Sequence, residues 1–207
     1  MKCSPLSTDR LILREFTGPD WRAVHEYASD PDVVRYLTWG PNSQEDSCVF
    51  IQKVILYQQE DPRRNHEFAV ILKKEDSLIG ACGLCVSNPD HQEAWIGYCF
   101  NRHFWGKGYA TEATKALLEF GFSKLGLHRI FATTQPDNVA SARVLGKIGM
   151  RREGHLRQHL WVKGRWRDSF LHAVLNHEWK ALVGREVAQH QAPGKNVSVF
   201  PDAPARS

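Results

Sequence analysis

The spacing of apolar residues along the chain switches repeatedly between a strand period and a helix period. Arg10-Leu11-Ile12-Leu13-Arg14-Glu15-Phe16 is a short β-prone run and reads as a first strand. Gly18-Pro19-Asp20 then opens a helix with Trp21, Val24, Tyr27 and Ala28 at helical spacing, and Asp30-Pro31 breaks it. Val33 to Leu37 is a short helical turn ended by Trp39-Gly40-Pro41. Ser43 and Asp46 resemble a capping box ahead of a second long helix carrying Phe50, Val54 and Tyr57. Glu67 to Leu72 and Leu78 to Val86 pair as a hairpin about Lys73-Lys74-Glu75-Asp76, and Ala94 to Phe100 is the next strand.

The second half keeps alternating. Ala113, Ala116, Leu117 and Phe120 give a helix over 109–124, stopped by Gly126. Arg129 to Thr134 is a strand. Pro136-Asp137-Asn138 opens a helix with Val144, Leu145 and Ile148 on one face, and Gly149 closes it. Leu156 to Val162 and Trp166 to Val174 form a last hairpin around Lys163-Gly164, and Asn176 to Leu182 is a final turn. Residues 186–207, rich in Pro, Gly, Gln, Ser and Ala, read as a disordered tail. The layout is α+β, with helices on a mixed sheet in one domain over 7–182.

Composition narrows the class. An apolar share of 42% of 207 residues suffices for a core, and no apolar run approaches the ~18 residues of a membrane span. The start, Met1-Lys2-Cys3-Ser4-Pro5, has no apolar signal segment, which favours a cytoplasmic protein with no membrane contact. A formal charge of +4 suits an anionic ligand without demanding nucleic acid. Five cysteines, an odd number, argue against a disulfide framework. Cys82 and Cys85 lie in a strand-like run and point to opposite faces, so they read as structural thiols. His155 and His159 are four apart on a predicted strand, which is not metal-ligand geometry, and no metal is expected.

The stretch with chemistry is Phe104-Trp105-Gly106-Lys107-Gly108-Tyr109-Ala110-Thr111-Glu112-Ala113, a strand-to-helix turn with two glycines. Free N–H groups and the dipole at a helix start bind anions, and glycines let a ligand approach the main chain. It is neither a Walker loop, because Gly108 follows Lys107, nor a dinucleotide fingerprint, because Thr111 stands at the third glycine position.

Trp105-Gly106-Lys107-Gly108-Tyr109-Ala110 resembles the (Gln/Arg)-x-x-Gly-x-(Gly/Ala) loop of the GNAT acetyltransferases, with Trp105 replacing Gln/Arg. Thr8-Asp9-Arg10-Leu11-Ile12-Leu13-Arg14, Ile96-Gly97-Tyr98, Asn138-x-x-Ser141-x-x-Val144-Leu145, Gly149-Met150-x-x-Glu153-Gly154-x-x-Arg157 and Gly164-Arg165-Trp166-Arg167-Asp168 extend the resemblance to the RimJ/RimL-like branch. Trp95 stands where that branch often carries Glu. The resemblance implies a mostly antiparallel sheet of about seven strands, splayed between 94–100 and 129–134. It implies acetyl-CoA as cosubstrate, its pyrophosphate on the N–H groups of Trp105, Gly106, Lys107, Gly108, Tyr109, Ala110 and Thr111. The pantetheine arm would lie along Tyr98 and Phe100. Asn138 would contact that arm, and Ser141 would lie near the sulfur as a catalytic acid.

The implied reaction needs a neutral amine. An α-amine is about one-seventh neutral at pH 7 and a lysine amine about one part in 2500, a gap of roughly 3–4 kcal/mol. Glu67, Glu93, Glu112 and Glu153 are the available carboxylates. Glu112, in the first helical turn, reads as support for the helix N-terminus, and Glu67 and Glu153 are carried as catalytic candidates with Ser141. The expected acceptor is a protein or peptide N-terminus, with aminoglycoside-type or other small amines as the alternative enzyme reading. A non-catalytic acetyl-CoA-binding sensor is the non-enzyme one. The protein is expected to be a monomer or homodimer.

Overall fold

In the computed structural model, which describes residues 3–191, the chain runs β1 (Leu6–Ser7), β2 (Leu11–Glu15), α1 (Trp21–Ala28), α2 (Pro31–Val34) and α3 (Gln44–Tyr57). It continues with β3 (Asn65–Leu72), β4 (Ser77–Asn88), β5 (Glu93–Phe100), α4 (Tyr109–Glu119), β6 (Arg129–Thr134) and α5 (Val139–Lys147), and closes with β7 (Arg151–Val162), β8 (Arg165–Leu175) and α6 (Asn176–Gln191). One sheet takes all eight strands in the order β1-β2-β3-β4-β5-β6-β8-β7. The strand beyond the expected seven is β1, two residues paired to β2 through Leu6↔Leu13 and Ser7↔Ile12 and too short to show a period.

Two cores sit on the two faces of this sheet. On one, Leu117 and Leu118 of α4, Leu145 of α5 and Trp179 of α6 pack on Leu13, Phe68, Leu84, Ile96 and Ile130. On the other, Val24 and Tyr27 of α1 and Ile51 and Val54 of α3 pack on Ala69, Ile71 and Ala81. Strand alternation explains the division: even positions of β3 and β5, and of β4 from Gly80 on, face α4, and odd positions face α1 and α3. The bulge opposite Val70 and Ile71 reverses this at Leu78 and Ile79. The capping box at α3 is present, with Ser43 Oγ accepting from Asp46 N at 3.0 Å and Asp46 Oδ2 from Ser43 N at 2.9 Å. Helix α4 is prolonged by a π-turn over Phe120–Lys124, and Gly126 follows at φ 66°. Cys82 is buried in the first core and Cys85 only partly covered, and all five cysteines are free thiols.

Several boundaries differ from the sequence reading: α2 is Pro31–Val34 rather than Val33 to Leu37, and β7 begins at Arg151 rather than Leu156. Helix α6 does not stop near Leu182 but runs to Gln191, so 186–191 are helical rather than tail. Its N-terminal half is anchored by Trp179, whose Nε1 donates to Glu119 Oε2 at 2.9 Å, and the helical bonding continues past the last apolar residues. The remainder of the expected tail, 192–207, lies outside the described residues.

The feature that shapes the site is the β5–β6 junction. These strands are parallel and pair only at Glu93↔Arg129, Ala94↔Ile130 and Trp95↔Phe131, then separate. On its other side β5 pairs with β4 through to Gly80↔Phe100, so β5 is held firmly along one edge and left open along the other. Gly80 permits this close approach: a Cβ there would lie 2.5 Å from the Cys99 carbonyl oxygen. Gly80→Ala must push the β5 backbone aside and is expected to cost about 1–3 kcal/mol, read as a lower urea midpoint at unchanged m-value.

Candidate active site

A cleft of about 1030 Å³ opens where β5 and β6 part. Tyr98 and Phe100 line it from β5, Thr133 and Thr134 from β6, Asn138 and Ser141 from α5, and Tyr36 from the segment after α2. Trp105, Gly106, Gly108, Tyr109, Ala110 and Thr111 close one end. The cleft therefore collects every expected cosubstrate-binding residue except Lys107. Lys107 is not part of the lining, and its ammonium lies 5.5 Å from the ring centre of Phe104, which is part of it.

The glycine loop is built as an anion cradle. Gly106 and Gly108 have φ of 74° and 83°, a left-handed conformation that side-chain-bearing residues disfavour. The first main-chain bond of α4 runs from Glu112 N to Gly108 O, so the N–H groups of Tyr109, Ala110 and Thr111 have no helical acceptor. Arg10 fastens the loop from behind. Its Nη1 donates to Lys107 O at 3.0 Å, its Nε to Glu112 Oε2 at 2.7 Å, and its guanidinium stacks 4.5 Å over Tyr109. Glu112 Oε1 also accepts from Thr8 Oγ1 at 2.6 Å and Arg10 N at 2.9 Å. Burial alone would raise the Glu112 carboxyl, but these donors outweigh it and hold the pKa below the usual value. Glu112 is thus an anchor between β1–β2 and α4. Arg10 stood in the sequence without a role. Its signal was a cation in the Thr8-Asp9-Arg10 turn, which finds its partner a hundred residues away.

Tyr98 bridges the opening. Its hydroxyl lies 2.8 Å from Ser141 Oγ and donates to Ser141 O at 3.2 Å, joining β5 to α5 where the strands no longer touch. Burial pushes the Tyr98 phenol up to about 12, against the pull of the Ser141 bond, so the pair stays protonated and can donate. Asn138 lines the cleft and caps α5, its Oδ1 accepting from Ser141 N at 3.1 Å. The Phe100 carbonyl accepts from Trp105 Nε1 at 2.7 Å, so the indole that replaces Gln/Arg ties the loop to the strand before it. Thr134 Oγ1 is buried in the cleft wall with no partner.

The two carboxylate candidates are far apart. Glu67 lies on the face of α1 and α3, in the row Glu67↔Gly83↔Gly97 across three strands. Its carboxylate occupies the space above Gly83, where a Cβ would collide with it. Gly97, one strand spacing of ~4.8 Å further on, lines the cleft. Burial raises the Glu67 carboxyl to about 7, with Lys53 and Arg63 opposing. Glu153, by contrast, is held by Arg129 through Nη1 at 3.0 Å and Nη2 at 2.6 Å, and this pairing lowers its pKa. Arg129 faces Glu93, five residues before Tyr98, so Glu153 sits roughly 16 Å along the sheet from the hydroxyl pair. None of Glu67, Glu93 and Glu153 lines the cleft; Glu67 lies two strands from Gly97, and Glu153 and Glu93 lie at the far end of the strands.

The residues present fit a CoA thioester: a main-chain cradle for phosphates, an open strand edge for an extended arm, and two hydroxyls at the parting. Residues 10–151 match the family model of the acetyltransferase (GNAT) domain, and the chain belongs to the GNAT acetyltransferases. It is similar to the uncharacterized N-acetyltransferase YnaD of Bacillus subtilis, 41% identical over 84% of this chain and 98% of that one. The solved GNAT acetyltransferase of Bacillus anthracis is 39% identical with a TM-score of 0.75, covering 84% and 99% of the two chains. More distant relatives in Escherichia coli include the ribosomal protein uS5-alanine N-acetyltransferase (26% identical, covering 84% of this chain and 92% of that one) and spermidine N(1)-acetyltransferase (24%, covering 92% and 96%). The protein is an acetyl-CoA-dependent N-acetyltransferase. Among the described residues no group of His, Cys, Asp or Glu is placed to hold a metal ion, and no helix is long and apolar enough to cross a membrane.

Gly108→Asp adds a Cβ at φ 83° and a negative charge beside the cradle. Calorimetry on the folded variant is expected to show acetyl-CoA binding at least tenfold weaker, about 1.4 kcal/mol or more. Unchanged affinity would remove the loop from the binding site.

Proposed function

We propose that this enzyme acetylates the α-amine of a peptide or protein N-terminus, as the RimJ/RimL-like branch does, rather than a polyamine. The observation that carries this reading is the charge of the acceptor flank. A polyamine needs free carboxylates. Of the acids bordering the cleft away from the glycine loop, Asp30, Asp32 and Asp168 are engaged, which leaves the exposed Asp137 and the buried Glu67 as single carboxylates on separate elements. Asp30 and Asp32 pair with Arg102, at 3.0 and 3.4 Å, and Asp168 bonds His155 Nε2 at 2.6 Å. Lys163, Arg165 and Arg167 stand on the same flank.

In this reading the acceptor nitrogen attacks the thioester carbonyl carbon, the carbon–sulfur bond breaks, and the acetyl group passes directly to the amine. Ser141, polarised by Tyr98, delivers a proton to the departing sulfur and is reprotonated from water in the cleft. Glu67, whose carboxylate lies over Gly83, receives the proton lost by the amine through water along the Gly83–Gly97 row. A carboxyl near 7 is matched to an α-amine near 7.8, and the gap left to bridge is small.

Glu67 has a stability consequence with a definite sign. Its folded pKa, about 7, exceeds the unfolded 4.5, so a buried anion penalises the fold fully above about 7, and the penalty fades as pH falls toward 4.5. Glu67→Gln is expected to raise the melting temperature near pH 8, to lose that gain near pH 5, and to lower kcat/KM at least tenfold. A variant with wild-type turnover ends the base assignment.

The acceptor class is tested by competition between a peptide with a free N-terminus, its N-terminally blocked lysine-bearing twin, and spermidine, with mass spectrometry locating the acetyl group. The free N-terminus is expected to be labelled first. Turnover confined to spermidine, or labelling of lysine, overturns the proposal.

A further inference from the structure

The β7–β8 hairpin holds a cation that the acetyl-transfer chemistry does not use. By strand alternation Arg165, Arg167, Ser169 and Leu171 share one face of β8, and Leu171 pairs with Thr133, which lines the cleft. Phe131, Trp95, Gly97, Gly83 and Glu67 continue the same face through the registers of the sheet. Arg167 and Glu67 therefore flank the same acceptor side from opposite directions.

Arg167 is only partly exposed, and two of its guanidinium nitrogens, Nε and Nη1, are buried without a partner. The acids nearest in sequence on the hairpin are committed elsewhere: Asp168 is bound to His155 and to the Gln158 N–H at 2.9 Å, and Glu153 to Arg129. A second cation stands beside it. Lys163 Nζ donates to Val34 O at 2.9 Å, fastening the hairpin tip to α2 between the cleft-lining Val33 and Arg35. Burial, then the charge of Arg167, holds the Lys163 pKa below the ordinary value. Two cations crowded at a cleft mouth, one with desolvated and unpaired donors, make a site that lacks its anion.

We propose that Arg167, with Lys163 beside it, binds a carboxylate of the acceptor, so that the preferred substrate is a peptide or protein N-terminus carrying Asp or Glu within its first few residues. This rests on the α-amine reading above. The span supports the register. Arg167 lies four residues along β8 from Leu171, roughly 13 Å. Allowing for the reach of the arginine, that corresponds to about two to four residues of extended acceptor chain.

The test uses the full-length enzyme, saturating acetyl-CoA and three peptides with the same first residue, followed by two glutamates, two glutamines or two lysines. Wild-type kcat/KM is expected to be at least tenfold higher for the acidic than for the neutral peptide, with the gap narrowing as salt rises. Arg167→Gln is expected to bring the acidic-to-neutral ratio close to one, and Arg167→Glu to shift preference to the lysine peptide. Acetyl-CoA affinity within twofold of wild type reports an intact fold in each variant. Turnover of all three peptides without charge preference, or a loss in Arg167→Gln that is equal for acidic and neutral peptides, overturns this inference and leaves the α-amine reading standing. Turnover of spermidine with none of the peptides overturns both.

Discussion

Two parallel strands that pair at three positions and then part are the constraint on which the site depends. A backbone group that loses its ladder partner and is also cut off from water costs about 1–3 kcal/mol, so strands rarely separate inside a domain without compensation. Here the compensation is local. Trp105 gives its indole N–H to the Phe100 carbonyl, Tyr98 reaches across to Ser141, and the cleft keeps the remaining edge wet. What is left is a strand edge displayed inside a fold, which accepts an extended arm in the way an exposed sheet edge accepts a peptide. The hydroxyl pair stands at the parting because the same separation leaves room for α5 to approach β5.

The glycine loop would be a poor cradle if it were free. Left-handed glycines are easily accommodated and equally easily lost to other conformations. Arg10 removes that freedom by holding the Lys107 carbonyl, the Glu112 carboxylate and the Tyr109 ring at once. The turn between β1 and β2 thus reaches past the sheet to set the start of α4 and hold its free N–H groups in alignment. A preorganised cradle spends less binding energy on ordering itself.

Much of this could be read in the chain before the structure. The loop, the parting strands, Tyr98, Asn138 and Ser141 are local in sequence or belong to blocks with a strong family resemblance, and they meet in one cleft. What could not be read is the set of partners joined across the sheet. Glu67 and Glu153 look alike as letters. Only the register shows one carboxylate over a glycine strip that leads to the cleft, and the other bound to an arginine at the far end of β6. Arg10 was visible as part of a motif but not as the clamp of a loop about a hundred residues away. Strand β1 and the last turns of α6 were missed for a simpler reason: two residues carry no period, and a helix without an apolar stripe resembles a linker.

The cations on the acceptor flank also bear on the chemistry of the amine itself. In the proposed reading Arg167 is paired with the acceptor carboxylate, and an entering ammonium still meets the like charge of Lys163. At roughly 8 Å and an effective dielectric near 20, one such neighbour costs it about 2 kcal/mol, equivalent to about 1.5 pKa units toward the neutral form. That shift matters little to an α-amine already partly neutral, but it acts in the direction of reaction. For a polyamine the same field repels every ammonium along the chain, and the distal ones gain nothing catalytically from losing their charge. In the proposed mechanism Glu67 opposes the effect while ionised, yet its own burial makes it a ready proton acceptor. As the proton moves, the anion that stabilised the ammonium disappears with it. The flank and the buried carboxylate thus favour the uncharged pair over the ion pair, and the neutral amine is the species that can attack.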